Sequence, residues 1–193
     1  MYDVVCLASG GLDSMLCLHL LRERELNALP VFVNYGQRNF DREWSALLTA
    51  CEKGHFSRPV KFDVPAFGEV IRSGLTDPTL RVNEDAFTPN RNLLFLLLGA
   101  SVAYTRGIPN IALGLLAERT TIFPDQSDKF LGLAEEALQA SLGAKIVIHA
   151  PLRDFTKKDV VEIANQRKIT NFYSCHAGTE LPCGKCIACL EYI

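Results

Sequence analysis

The stretch that most narrows the fold of this chain is Ala8-Ser9-Gly10-Gly11-Leu12-Asp13-Ser14. It lies between an apolar run at 4–7 and a segment in which Leu12, Met15, Leu16, Leu20 and Leu21 recur at helical spacing. A buried strand therefore turns sharply into a helix. Two adjacent glycines let the backbone bend and leave no Cβ between a ligand and the amide N–H groups. Ser9 and Ser14 add hydroxyls, and the helix start adds unpaired N–H groups and the positive end of its dipole. Such a turn suits an anion, phosphate above all. Gly-Gly alone would be no more than a tight turn; strand before, helix after and Asp13 in the first turn favour the anion.

Downstream, strands and helices alternate. Residues 28–34 read as a second strand, 40–51 as a helix carrying Trp44, Leu47 and Leu48 inward, and 59–64 as a third strand. The stretch 66–90, with Gly68, Gly74, Pro78 and Pro89, is less regular and suits a long active-site loop holding a short helix. Thr88 as N-cap and Pro89 at the first position predict a helix carrying Leu93, Leu94, Leu97, Leu98 and Val102 and ending near Gly107. A fourth strand at 111–114, a helix from about 125 to 142 and a fifth strand at 145–149 follow. Thr156-Lys157-Lys158-Asp159 has the form of a capping box and opens a helix through Gln166. The alternation predicts an α/β fold, a mainly parallel sheet flanked by helices, with ligands beyond the carboxyl ends of the strands. Residues 1–169 read as this α/β domain and 170–193 as a small separate unit packed on it.

With 193 residues, 48% of them hydrophobic, the chain can bury a full core. Its apolar run at 93–102 contains Gly99 and Ser101 and is too short to span a bilayer, so a cytoplasmic protein without a membrane partner is expected. The net charge of −2 provides no field to draw in nucleic acid. Cys6, Cys17 and Cys51 fall within strand and helix patterns and read as small buried hydrophobes. Cys175, Cys183, Cys186 and Cys189 form overlapping C-x-x-C units plus one more thiol, a spacing that favours metal over disulfides. Four thiolates fit structural zinc, with an iron–sulfur cluster as the competing occupant. His176 reads as a bystander. The same metal reading argues against a reactive sulfur-transfer pair.

The Ser-Gly-Gly-x-Asp-Ser form resembles the pyrophosphate loop of the ATP pyrophosphatases. Taken with Tyr35-Gly36-Gln37-Arg38, Pro89-Asn90-Arg91-Asn92, Pro124-Asp125, Ala150-Pro151-Leu152, Thr156-Lys157 and the run from Ser174-Cys175 through Cys189, the chain resembles the 7-cyano-7-deazaguanine synthase family (QueC, formerly ExsB) over nearly its whole length. The resemblance implies an adenine nucleotide α-hydrolase-like, Rossmann-like fold, a homodimer, bound Zn2+, and use of ATP with Mg2+. The implied reaction adenylates 7-carboxy-7-deazaguanine for attack by ammonia, giving first amide and then nitrile, in queuosine precursor synthesis. Ala8, Ser9, Gly10, Gly11, Leu12, Asp13 and Ser14 would then cradle pyrophosphate, Asp13 ordering the loop or its magnesium. Arg38, Arg91 and Lys157 would join Asp13 as catalytic groups, the arginines contacting phosphate or carboxylate. Asn92, Gly114, Arg119 and Asp125 would face the acceptor.

One segment departs from that pattern. The family's run after the fourth strand is roughly G-V-N-x-x-D-Y-S-G-Y-P-D-C-R-P-E-F; here Gly114, Pro124, Asp125 and Phe130 are kept, while Arg119 stands at the acidic position. Gln126 and Ser127 replace Cys-Arg, Lys129 replaces the glutamate, and Asn39 replaces the histidine after Tyr-Gly-Gln-Arg. A polar site that no longer matches a substrate rejects it strongly. A paralogue for a different heterocyclic carboxylate, and a nucleotide-binding module without turnover, are therefore the alternatives.

Overall fold

The computed structural model describes residues 1–120 and 122–192; Thr121, within the 115–130 loop, and Ile193, in the tail, lie outside the described residues. Strands β1 (Val4–Leu7), β2 (Ala28–Asn34), β3 (Val60–Asp63), β4 (Asn110–Leu113) and β5 (Val147–His149) form one sheet in the order β3-β2-β1-β4-β5, with every pair parallel. Parallel pairing needs a crossover between strands. It comes from helices α1 (Leu12–Glu23), α2 (Phe40–Lys53), α3 (Ala66–Val70), α4 (Arg91–Thr105) and α5 (Asp128–Leu142), with α6 (Lys157–Gln166) and α7 (Ile187–Leu190) following the last strand.

β1 is central and every residue of it is buried, which explains its unbroken Val-Val-Cys-Leu run. Alternate residues feed two cores. One face packs Cys6 and Phe32 with Leu12, Met15, Leu16, Leu47 and Val160 from α1, α2 and α6. The other packs Val5, Val31 and Ile111 with Leu96, Ala100 and Leu138 from α4 and α5. Each Val, Leu, Ile, Met or Phe among them contributes roughly 1.5–3 kcal/mol on burial, so the sheet is clamped from both sides. The chain winds outward from β1 through β2 to β3, then returns to the other side of β1 at β4. That reversal opens a crevice at the carboxyl ends of β1 and β4.

The bounds of several predicted elements are corrected. α4 begins at Arg91, not at Pro89: the Thr88 hydroxyl is buried against Ser73 Oγ at 2.7 Å, and Asn90 takes a left-handed conformation (φ 60°) as the N-cap. A tertiary partner thus outcompetes the local cap. α5 begins at Asp128, because Pro124–Gln126 form a separate 3-10 turn and the Ser127 hydroxyl accepts from the Phe130 N–H at 3.1 Å. β5 covers only 147–149 of the predicted 145–149, and β3 only 60–63 of 59–64. The capping box at Thr156 is as predicted, with its hydroxyl accepting from the Asp159 N–H. The tail is tied to the α/β body through the loop after β1: Tyr173 N–H donates to the Gly10 carbonyl at 2.9 Å. No helix among the described residues is long and apolar enough to cross a membrane.

Candidate active site

The turn after β1 is held by its own serines. Ser14 Oγ accepts from the N–H groups of Ser9 and Gly10, both at 3.2 Å, and donates to the Gly11 carbonyl at 2.9 Å. Ser9 Oγ accepts from the Gly11 N–H at 3.2 Å. Gly10 sits at φ +84°, and a Cβ there would collide with the Glu43 carbonyl, so only glycine lets α2 press against the turn. Gly114, just after β4, is tight as well, though less so: a Cβ would come to 3.0 Å from the Asp13 backbone. The N-cap residue Gly11 gives no side-chain cap to the first turn of α1; the Leu12 N–H there donates to Ser174 Oγ at 3.3 Å.

Two adjoining lobes open there, of about 230 and 210 Å³. Each is smaller than the roughly 300 Å³ at which ligand clefts usually begin, but both are lined by Ser9, Asp13, Ser14, Glu43, Arg91 and His176 and so read as one cleft. The first lobe is walled by apolar groups of the sheet, including Val31, Val33 and Leu113, and by Tyr35 and Phe95. The second holds Gly11, Lys157, Gln126 and Glu191 and is the more polar in character. A flat apolar wall thus lies beside a polar recess holding both Lys157 and Arg91 and the carboxylates of Asp13, Glu43 and Glu191.

Lys157 donates to both Asp13 oxygens, at 2.8 and 3.0 Å, and approaches Glu191 at 3.2 Å. Burial works to lower the lysine pKa, but Asp13, Glu191 and Tyr192 outweigh it and push it up to about 12. Arg91 lies over the Tyr35 and Phe95 rings, and its Nη1 donates to the Tyr35 hydroxyl at 3.4 Å. Asn92 Nδ2 donates to the Asp125 carbonyl at 3.0 Å, tying the start of α4 to the altered loop.

Among the residues singled out from sequence, Asp13, Lys157, Arg91, Asn92 and Gly114 thus meet at the cleft. Arg38 is not among the cleft-lining residues; its Nη1 donates to the Gly74 carbonyl at 3.2 Å and braces the 66–90 loop. Arg119 is exposed and outside the lining, and Lys129 is exposed as well. Gln126 lines the second lobe, with its Oε1 accepting from the Ile122 and Phe123 N–H groups. Asp125 acts through Asn92 without itself lining the cleft.

The four tail thiols lie within 4.8 Å of one another. Backbone N–H groups point at their sulfurs: Cys183 at Cys175, Cys186 at Cys183, and both His176 and Cys189 at Cys186, over 3.3–3.4 Å. Burial opposes ionisation of Cys175, but the Cys183 N–H and the Thr179 hydroxyl hold its thiol down to about 6. An all-sulfur donor set with N–H donors stabilising the thiolates fits a metal centre, and the sulfurs give it no open ligand position. Cys6 and Cys17 are buried away from it, their sulfurs 3.8 Å apart.

Comparison with known proteins decides the family. The family model described as "Queuosine biosynthesis protein QueC" matches residues 3–192. The chain belongs to the QueC family. Among QueC relatives, the 7-cyano-7-deazaguanine synthase of Methanobrevibacter smithii is 30% identical over 205 residues, covering 97% of this chain and 89% of that protein. The synthase of Campylobacter fetus subsp. fetus is 27% identical over 196 residues, covering 96% and 88%. Two solved structures share the fold: the U34-tRNA thiolase NcsA from Methanococcus maripaludis (TM-score 0.60, 19% identity, 93% of this chain and 62% of that one) and a predicted subunit of tRNA methyltransferase from Methanocaldococcus jannaschii (TM-score 0.56, 16% identity, 86% and 75%).

In this QueC chain sequence reasoning passed over Glu43 and Glu191 and read His176 as a bystander. Glu43 faces the cleft from the first turns of α2, where burial pushes its carboxyl up to about 7 against the pull of Gln37, Arg91 and Asn39. His176 lines both lobes with its buried Nδ1 lacking a partner among the described residues. Its place beside Cys175 was the available signal: its own backbone N–H is held at Cys186 Sγ, within the four-cysteine cluster.

Proposed function

We propose that this chain is an ATP-dependent carbon–nitrogen ligase that adenylates 7-carboxy-7-deazaguanine for attack by ammonia. What carries the reading is the family match over 3–192 together with the Ser9–Ser14 turn opening onto a cleft that also holds Lys157 and Arg91. Ammonia cannot displace oxide from a carboxylate, so the oxygen must first leave as a phosphate ester. The turn's N–H groups, which bond the Ser9, Ser14 and Ser174 hydroxyls, exchange those bonds for the departing pyrophosphate, and Lys157 and Arg91 neutralise its charge. Lys157, cationic throughout the physiological range, is held in place by Asp13. Amide formation followed by a second activation gives the nitrile.

Zinc is our proposed occupant of Cys175, Cys183, Cys186 and Cys189, in a structural role that fixes the tail against the loop. Magnesium enters with the nucleotide phosphates and supplies charge neutralisation there; both Asp13 oxygens are taken by Lys157, so no protein ligand is assigned to it. A homodimer and a cytoplasmic setting complete the proposal. Leu97, Tyr104 and Leu133 leave about half of their surfaces exposed on α4 and α5, which suits a contact between copies, and four clustered reduced thiols suit a reducing compartment. The net charge of −2 favours small-molecule substrates over nucleic acid.

The test is incubation with ATP, magnesium, ammonia and 7-carboxy-7-deazaguanine, reading pyrophosphate release and product mass. Amide and nitrile are expected. The second reading, a paralogue acting on another heterocyclic carboxylate, is favoured by Gln126 standing in the second lobe; pyrophosphate release with a different acid but not with this one would establish it.

A further inference from the structure

Glu43 is a carboxylate in the wrong place for a simple anion site. It lines both lobes beside the Ser-Gly-Gly turn, and its own carbonyl presses on Gly10. A negative charge there repels a polyphosphate, and burial adds a desolvation cost. No salt bridge offsets this among the described residues: Arg91 attracts the carboxylate without pairing with it. The side chain is nonetheless held. Gln37 Nε2 donates to Glu43 Oε2 at 3.3 Å and to the Val33 carbonyl at 3.2 Å, while Gln37 Oε1 accepts from the Tyr35 N–H at 2.9 Å. A buried glutamine anchored to the end of β2 thus aims a carboxylate into the cleft. Such a carboxylate serves a ligand that is cationic or must lose a proton, and the ligase reading supplies one, since its nucleophile reaches the cleft at neutral pH chiefly as ammonium.

We propose that Glu43 is a catalytic residue that captures the ammonium ion and takes one of its protons. This inference rests on the acyl-adenylate reading. The N–H electron pair freed on nitrogen forms the new C–N bond at the acyl carbon. The C–O bond to AMP breaks with its electron pair going to AMP, and the second proton lost by the nitrogen goes to water. The carboxyl, raised to about 7, is matched to shuttling a proton near neutrality. The ionisable groups facing the same space are Asp13 from α1, Arg91 from α4, Lys157 from α6, Tyr35 after β2, and His176 and Glu191 from the tail.

The test compares two nucleophiles in wild type and Glu43→Gln, the glutamine keeping the size of the side chain. Ammonium must give up a proton before it can attack; hydroxylamine, largely uncharged at neutral pH, skips that step and loses only the later proton, which goes to water. With ammonia the variant's amide-forming kcat should fall by roughly 100-fold or more, while its hydroxamate formation stays within about twofold of wild type. The ammonia defect should also shrink as pH rises and free ammonia replaces ammonium. Equal losses with both nucleophiles, recovery on raising magnesium, or a higher acceptor KM with either nucleophile would each overturn the proposal, the last two pointing to metal binding and acceptor recognition. If wild type forms no hydroxamate and releases no pyrophosphate, the acyl-adenylate reading itself fails and takes this inference with it.

Discussion

Asp13 and Lys157, 144 residues apart in sequence, meet through two hydrogen bonds of 2.8 and 3.0 Å that join the first turns of α1 and α6. The pair brings a cation to the Ser-Gly-Gly turn and fixes it there. Because Lys157 has the higher pKa in the folded state, the stability it confers is fully present below its ordinary value of 10.5 and is lost as pH rises through about 12. The melting temperatures of wild type and Lys157→Met should therefore differ by a constant amount across neutral pH. They should converge only above 10.5.

Asp13→Asn removes the anchor and leaves a lysine whose side chain is only 14% exposed without its main counter-charge. A stability loss of about 1–3 kcal/mol is expected by denaturant titration, with pyrophosphate release reduced roughly 100-fold. A variant with full pyrophosphate release would show that the pair has no part in catalysis.

The two arginines should separate. Arg91 lines the cleft whereas Arg38 braces Gly74, so Arg91→Ala should lower ATP-dependent pyrophosphate release by roughly 100-fold and Arg38→Ala by less than about fivefold. Limited proteolysis of Arg38→Ala should instead show earlier cutting in the 66–90 loop. Equal kinetic losses would return Arg38 to the catalytic set.

Gly10→Ala combines a backbone at φ +84° with a clash against Glu43, and should cost at least about 2 kcal/mol. Gly132→Ala is the control, since nothing lies within 4 Å of a Cβ there. It should be neutral or mildly stabilising in the same thermal melt.

If the four thiols hold the proposed zinc, removing it should loosen the Ser-Gly-Gly turn as well as the tail, because Tyr173 N–H donates to Gly10 O and Leu12 N–H to Ser174 Oγ. One zinc per chain is expected by elemental analysis. Chelation, or Cys186→Ser, should lower the melting temperature and increase amide exchange at 10–14 together with that at 173–190. Unchanged exchange in the turn would uncouple the two.

What could be read from sequence was what short stretches determine. The turn after β1, the Thr156 capping box and the four-cysteine spacing each lie within a few residues, where glycine geometry, hydroxyl capping and thiol chemistry act directly. The bounds of β1 and β2 followed from unbroken apolar runs. What escaped depends on partners distant in sequence. Thr88 would cap a helix in isolation, but Ser73 takes its hydroxyl. Arg38 sits at the carboxyl edge as expected, but the 66–90 loop folds back and offers it the Gly74 carbonyl. Glu43 looks like an ordinary acidic residue in a helix's first turns until α2 is pressed onto Gly10, and only then does it face a cleft. In the altered loop, sequence could not separate positions by exposure: Arg119 is exposed, whereas Gln126 lines the second lobe.

The hydrogen bond from Tyr173 to Gly10 also bears on the order of events during synthesis. The turn leaves the ribosome first, but the Gly10 carbonyl and the Leu12 N–H wait for partners that emerge some 160 residues later. At roughly 5–20 residues per second, that is a delay of many seconds. A partly made polypeptide thus carries the Ser-Gly-Gly motif before the two contacts from 173–174 that hold it are available.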